Sequence, residues 1–199
     1  MRLNVRVAIE LPELVVPDQG AWRSWLIEHH ATSPGVWLVL AKKGTTTPTV
    51  LRYDQALDEA LCFGWIDGQV RRRDEATTFQ RWTRRGPRSM WSARNVGHVG
   101  RLTEAGLMHP AGLAEVARAQ GDGRWDRAYA GPATAVVPAD LASAIAADPL
   151  AQATFDTLTS QNRYALIFRL GQLRTPAGRA KRIAAYVEML ARGETIHPQ

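Results

Sequence analysis

Apolar positions along the first half of the chain change period twice, and each change marks an element. Trp22, Trp25, Leu26 and His29 fall at i, i+3, i+4 and i+7, which predicts a helix opening at Asp18. After "SPG", the run "VWLVLAKK" over residues 36–43 is continuously apolar and β-branched or aromatic, as expected of a buried central strand. "QALDEALCFG" returns to a helical pattern, with Asp54 as the expected N-cap and Gly64 as the closing residue. From Trp65 the period becomes two, placing Trp65, Asp67, Gln69 and Arg71 on one face. With "DEATT" as the turn, "DGQVRRR" and "FQRWTRR" predict an antiparallel hairpin, and "VRVAI" over residues 5–9 predicts a further short strand.

Beyond "RGPRSMWSARN" the pattern is helical. Ser92 is the expected cap of a helix running towards Gly106 with Val96, Val99 and Leu102 inward. Pro110 suits the first turn of "PAGLAEVARAQ", which stops at "GDG". "YAGPATAVVP" reads as a linker. Pro138 and Pro149 each open a helix, with Asp148 capping the second. Ser160 is the expected cap of "QNRYALIFRL", and Thr175 with Pro176 opens a last helix, ended by Gly193, that carries Ile183, Tyr186, Val187 and Leu190 on one stripe. The expected fold class is α+β: a small antiparallel sheet with packed helices over residues 1–125, a linker over 126–137, and a helical C-terminal module over 138–199.

A chain of 199 residues can bury a core without a covalent staple. Cys62 is the single cysteine, which excludes an intramolecular disulfide, and its neighbours Leu61 and Phe63 suggest a packed thiol. The N-terminal stretch is interrupted by Arg2, Arg6 and Glu10, so neither a signal-peptide core nor a spanning helix is expected. A cytoplasmic protein without membrane insertion is the expectation; the oligomeric state is not indicated. The net charge of +6 is concentrated, because eight arginines face two acidic residues between Arg71 and Arg94. Arginine, unlike lysine, grips carboxylate or phosphate with a planar pair of donors.

The usual catalytic signatures are missing. There is no phosphate-binding or dinucleotide-binding glycine pattern. His29 and His30 are adjacent, so on a helix they diverge by about 100° and cannot chelate together. No metal and no cofactor is expected. Ser89 and Ser92 lie near His98 without a nucleophile-elbow motif around them. Asp67 is either an ion-paired strand residue or a ligand-binding or catalytic carboxylate. Trp65, Trp82 and Trp91 bracket the arginine window, either as core aromatics beneath a solvated basic face or as part of a concave site where guanidinium groups stack on indoles.

"SPGVWLVLAKKG", "YDQALDEALCFGWIDGQVRRRDE", "RWTRRGPRSMWSARNVGHVGRL" and "GLMHPAGLAEV" together resemble the YdeI/OmpD-associated family, also called bacteriocin-protection proteins. "ATFDTLTSQNRYALIF" and "RAKRIAAYVEMLARG" are similar to its helical C-terminal module, so the resemblance runs roughly from residue 20 to 195. It implies a role in protection from bacteriocins, and its motif falls on Lys42, Lys43, Gly64, Trp65, Asp67, Arg81, Pro87, Ser89, Trp91, Ser92 and Asn95. The chain departs from the family pattern at His109, where a capping Ser or Thr is expected, and at Gly97 and Gly100, which weaken a helix.

Folding of the hairpin and its flanks is expected to gather Trp65, Asp67, Arg71, Arg81, Trp82, Ser89, Trp91, Asn95 and Lys42 into one ligand-binding face. Tryptophan would form its floor, arginine would capture an anion and Asp67 would orient the ligand. The leading expectation is a protection or resistance protein that sequesters a toxic small molecule or peptide without catalysis. The alternatives are a nucleic-acid-binding stress protein that uses the arginine hairpin, and a hydrolase or transferase with Asp67 as general base.

Overall fold

The computed structural model describes residues 10–199, so the strand expected over residues 5–9 lies outside the described residues. The chain divides into two compact units. The first runs to Trp91 and resumes over Asn95–Ala128; the second takes Ser92–Arg94 and Tyr129–Gln199. The fold class is α+β.

In the first unit a four-stranded sheet has the order β1-β2-β4-β3, formed by β1 (Glu13–Leu14), β2 (Val36–Ala41), β3 (Trp65–Arg72) and β4 (Thr77–Arg84). The sheet is mixed rather than purely antiparallel, because β1 pairs in parallel with β2. Helix α1 (Gln19–His29) carries the chain back between them, and a parallel pair requires such a crossover. Two residues between Pro12 and Pro17 give too short a pattern for the strand to be read from sequence. β2 is buried on both faces, Leu38 and Leu40 on one and Val39 on the other, which accounts for its apolar run.

Asp18 caps α1 by accepting the Ala21 N–H at 2.9 Å. Helix α2 (Tyr53–Cys62) starts two residues before the sequence suggests: its N-cap position is Arg52, whose N–H donates to Gln55 Oε1 at 3.0 Å. Asp54 sits in the first turn, where it favours the positive end of the helix dipole without capping it. Trp22 and Leu26 of α1 and Leu57 and Leu61 of α2 pack on Leu38, Leu40, Trp65 and Trp82 of the sheet. Burying each such side chain contributes roughly 1.5–3 kcal/mol. Two of the indoles also satisfy their N–H groups, Trp22 on the Ala56 carbonyl and Trp65 on the His30 carbonyl, each at 3.2 Å.

Helix α3 (Ala93–Glu104) sends Val99 and Leu102 into this core. Helix α4 (Pro110–Gly121) begins behind His109, whose Nδ1 accepts the Ala111 N–H at 3.2 Å, so the histidine does the capping work expected of Ser or Thr.

The second unit holds α5 (Ala139–Ala146), α6 (Pro149–Thr157), α7 (Ser160–Gly171) and α8 (Pro176–Ala191). Asp148 caps α6 through the Leu150 and Ala151 N–H groups, and Thr175 caps α8 through Gly178. The cap of α7 is Thr159 rather than Ser160, the two neighbouring hydroxyls being equivalent on sequence grounds. Leu141, Ile145, Leu166, Leu170, Tyr186 and Leu190 form the centre of a separate core. Among the described residues no helix is long and apolar enough to cross a membrane.

Candidate functional site

The geometry around the hairpin is decided by a β-bulge. Asp67 pairs with Trp82 and Val70 with Gln80, so three steps along β3 match two along β4. The extra residue reverses the alternation. Trp65 and Asp67 stay on the helix-packed face with Trp82, while Arg71, opposite Phe79, moves to the other face with Trp37 and Arg81. The simple period of two placed Asp67 and Arg71 together; the folded sheet separates them.

On the face away from α1 and α2, Arg71 lies over the Trp37 indole with its guanidinium carbon 3.6 Å from the ring centroid. It also approaches Phe79 at 5.5 Å. Arg81 Nη1 donates to Gln69 Oε1 at 3.2 Å, and both arginines line the same cleft. Arg71, Arg81, Trp37 and Gln69 line a cleft of about 680 Å³ together with Glu10 and Glu13. Neither arginine is ion-paired within the described residues. Their positive charge is therefore available in the cleft.

The remaining candidates are distributed elsewhere. Trp65 and Trp82 are fully buried in the core, and Trp91 lies beneath the Arg85 guanidinium at 3.6 Å. Indole stacking on arginine does occur, but at Trp37 and Trp91 rather than at the tryptophans of the hairpin. Asp67 is half-buried and accepts the Tyr53 hydroxyl at 3.0 Å. Lys42 ties down the hairpin turn through the Asp74 and Glu75 carbonyls. Ser89 accepts the Gly86 N–H at 2.9 Å and, through its carbonyl, Arg124 Nη1 at 2.8 Å, while Asn95 is buried in α3. Trp37, Tyr53 and Gln69 were not singled out in sequence. Trp37 was hidden in an apolar run, and Gln69 gained its position only through the bulge.

Two arginines of the window are already engaged: Arg72 pairs with Glu75 and Arg73 with Asp74. Hydrogen bonds from Thr77 and Ala76 hold the Asp74 carboxyl below its usual range. Burial pushes the Cys62 thiol up to about 11, with Glu59 adding to the effect, so the sulfur stays protonated at neutral pH and is a poor nucleophile. Among the described residues no group of three His, Cys, Asp or Glu side chains is arranged to hold a metal ion.

Comparison with known families divides the chain at nearly the same place as the fold. Residues 134–193 match the family described as bacteriocin-protection, YdeI or OmpD-associated. The motifs around GWID fall in a different match, which covers residues 14–115. No curated protein and no solved structure matches the chain. The match over residues 14–115 spans more than half of the chain, which therefore belongs to the family described as a domain of unknown function, DUF8412, while residues 134–193 are similar to the bacteriocin-protection, YdeI or OmpD-associated family.

Proposed function

We propose that this is a protection protein that sequesters a small molecule or peptide without catalysis, holding a carboxylate or similar anion between Arg71 and Arg81 with an aromatic or planar portion against Trp37. The supporting observation is the pair of arginines, one stacked on Trp37 and one held by Gln69, lining a cleft without an ion-pair partner. The acidic rim of Glu10 and Glu13 suits a ligand that carries an amine as well as a carboxylate, as a peptide does. The bacteriocin-protection match of residues 134–193 supports the protective role. Nucleic acid fits less well, because Arg72 and Arg73 are neutralised by acidic neighbours.

The test is tryptophan fluorescence titration with hippurate, an aromatic carboxylate, and with a single-stranded DNA 12-mer, at low and high salt. Hippurate should bind saturably and be recovered unchanged by mass spectrometry. Arg71→Gln should weaken it about 10- to 100-fold, since a hydrogen bond to a charged partner contributes about 1.5–3 kcal/mol. A chemically altered probe, an unaffected Arg71→Gln variant, or binding confined to DNA and abolished by salt would overturn the reading.

A further inference from the structure

The described acidic side chains that are not fully exposed divide cleanly by partner. Asp58 pairs with Arg101 at 2.6 Å, Glu59 with Arg23 at 2.6 Å, and Glu115 with Arg118. Asp148 accepts two N–H groups at a helix start. Asp67 has the Tyr53 hydroxyl on Oδ2 and, among the described residues, no cation, although the chain carries a surplus of six positive charges. Withdrawing a carboxylate from water without a compensating charge is costly. An arginine could have been placed beside it, as it was at the other three pairs.

Asp67 lines a pocket of about 380 Å³ on the helix-packed face, with Leu40, Ala41 and Val70 as apolar wall and Thr78 and Gln80 as polar positions. The bulge between Asp67 and Val70 sets this geometry. Gly68 adds no side chain over the opening, and Gln80 Nε2 is occupied by the Gly68 carbonyl at 2.8 Å. The result is one anionic group in the lining of a largely apolar pocket.

We propose that this pocket binds an organic ammonium ion: a primary amine on a short apolar body, its N–H groups directed at the Asp67 oxygen that Tyr53 leaves open, its chain against Leu40 and Val70. Butylammonium is a probe of the right size. A single carboxylate is too few oxygen ligands for a hard metal ion, and a neutral or anionic guest leaves Asp67 uncompensated. The site is on the opposite face of the sheet from the Arg71 cleft and does not depend on it.

The experiment is an amide chemical-shift titration of the full chain with butylammonium, 1-pentanol and butyrate. Saturable shifts centred on Gly68, Val70 and Thr78 with butylammonium alone are expected, weakened at least tenfold in Asp67→Asn and unchanged in Arg71→Gln. The wild-type shift map decides the case even if Asp67→Asn folds poorly. Absence of saturation, shifts centred elsewhere, equal binding of 1-pentanol, or full affinity in a folded Asp67→Asn variant would each refute the site. Because hippurate and Arg71→Gln report on the other face, failure of one proposal is distinguishable from failure of the other.

Discussion

Replacing a helical glycine by alanine should change the stability of this protein in opposite directions at two helices. In isolation the substitution favours a helix by about 1 kcal/mol, because alanine has less backbone freedom to lose. At Gly97 and Gly100, inside α3, an added Cβ meets nothing within 4 Å. Each Gly→Ala change there should stabilise by about 0.5–1 kcal/mol. At Gly112 in α4 the same atom would lie 2.1 Å from the Cys62 carbonyl oxygen and 2.9 Å from that of Leu61. The Cys62 oxygen cannot easily retreat, since it accepts the His109 N–H that seats the start of α4. Restoring an ordinary carbon–oxygen separation of about 3.3 Å requires a shift of about 1 Å between backbones. Overpacking costs roughly 1–3 kcal/mol, and a contact this short belongs in the upper part of that range, so after the propensity gain Gly112→Ala is left destabilised by about 1–2 kcal/mol. Urea unfolding followed by tryptophan fluorescence is the suitable assay, because all seven tryptophans belong to the first unit. With a slope of about 2 kcal/mol/M, the midpoint should fall by roughly 0.5–1 M for Gly112→Ala and rise for Gly97→Ala. A Gly112→Ala midpoint at or above wild type would refute the close-approach argument, and a comparable fall at Gly97 would show that α3 is constrained by something other than its own propensity.

Two further outcomes are expected. Arg23→Met leaves Glu59 buried beside Gln19 alone, and should destabilise the first unit by about 3 kcal/mol, near the lower end for a broken buried pair because Arg23 is one-third exposed. Adding Glu59→Gln should restore most of the loss, and a double variant no more stable than the single would contradict the pairing. His109 is held below its usual 6.5 by burial first and then by His30 and Arg23, so its neutral form is favoured in the folded state. Its contribution is complete above about 6.5 and is lost as pH falls through the lower folded value, where protonation also removes the acceptor that caps α4. His109→Ser, which keeps a cap but cannot titrate, should flatten the acid limb of a stability-against-pH curve; an unchanged limb would exclude His109 as its source.

Much of this architecture was legible because it rests on local rules. Asp18, Asp148 and Thr175 cap helices whose starts were marked by short polar side chains, and the stripe Ile183, Tyr186, Val187 and Leu190 faces a core as its spacing requires. Local rules misplaced two helix starts: Ser160 and Thr159 were equivalent caps, and Asp54, a better capping residue than Arg52, lies instead in the first turn of α2. The candidate site was less readable. Its arginines were visible as a charge cluster, but Trp37 looked like one more apolar residue of a central strand, and Tyr53 fell just before the expected helix start although it opens α2.

The sequence by itself determined the helices, the hairpin, the buried thiol and the concentration of arginine, since periodicity, capping and charge are properties of neighbours in the chain. Tertiary structure decided which side of the sheet each charge occupies. One extra residue between Asp67 and Val70 turns the strand over, and no pattern of alternation records it because the bulge exists only in the pairing of β3 with β4. Asp67 and Arg71, four residues apart, thereby line separate clefts instead of a common one.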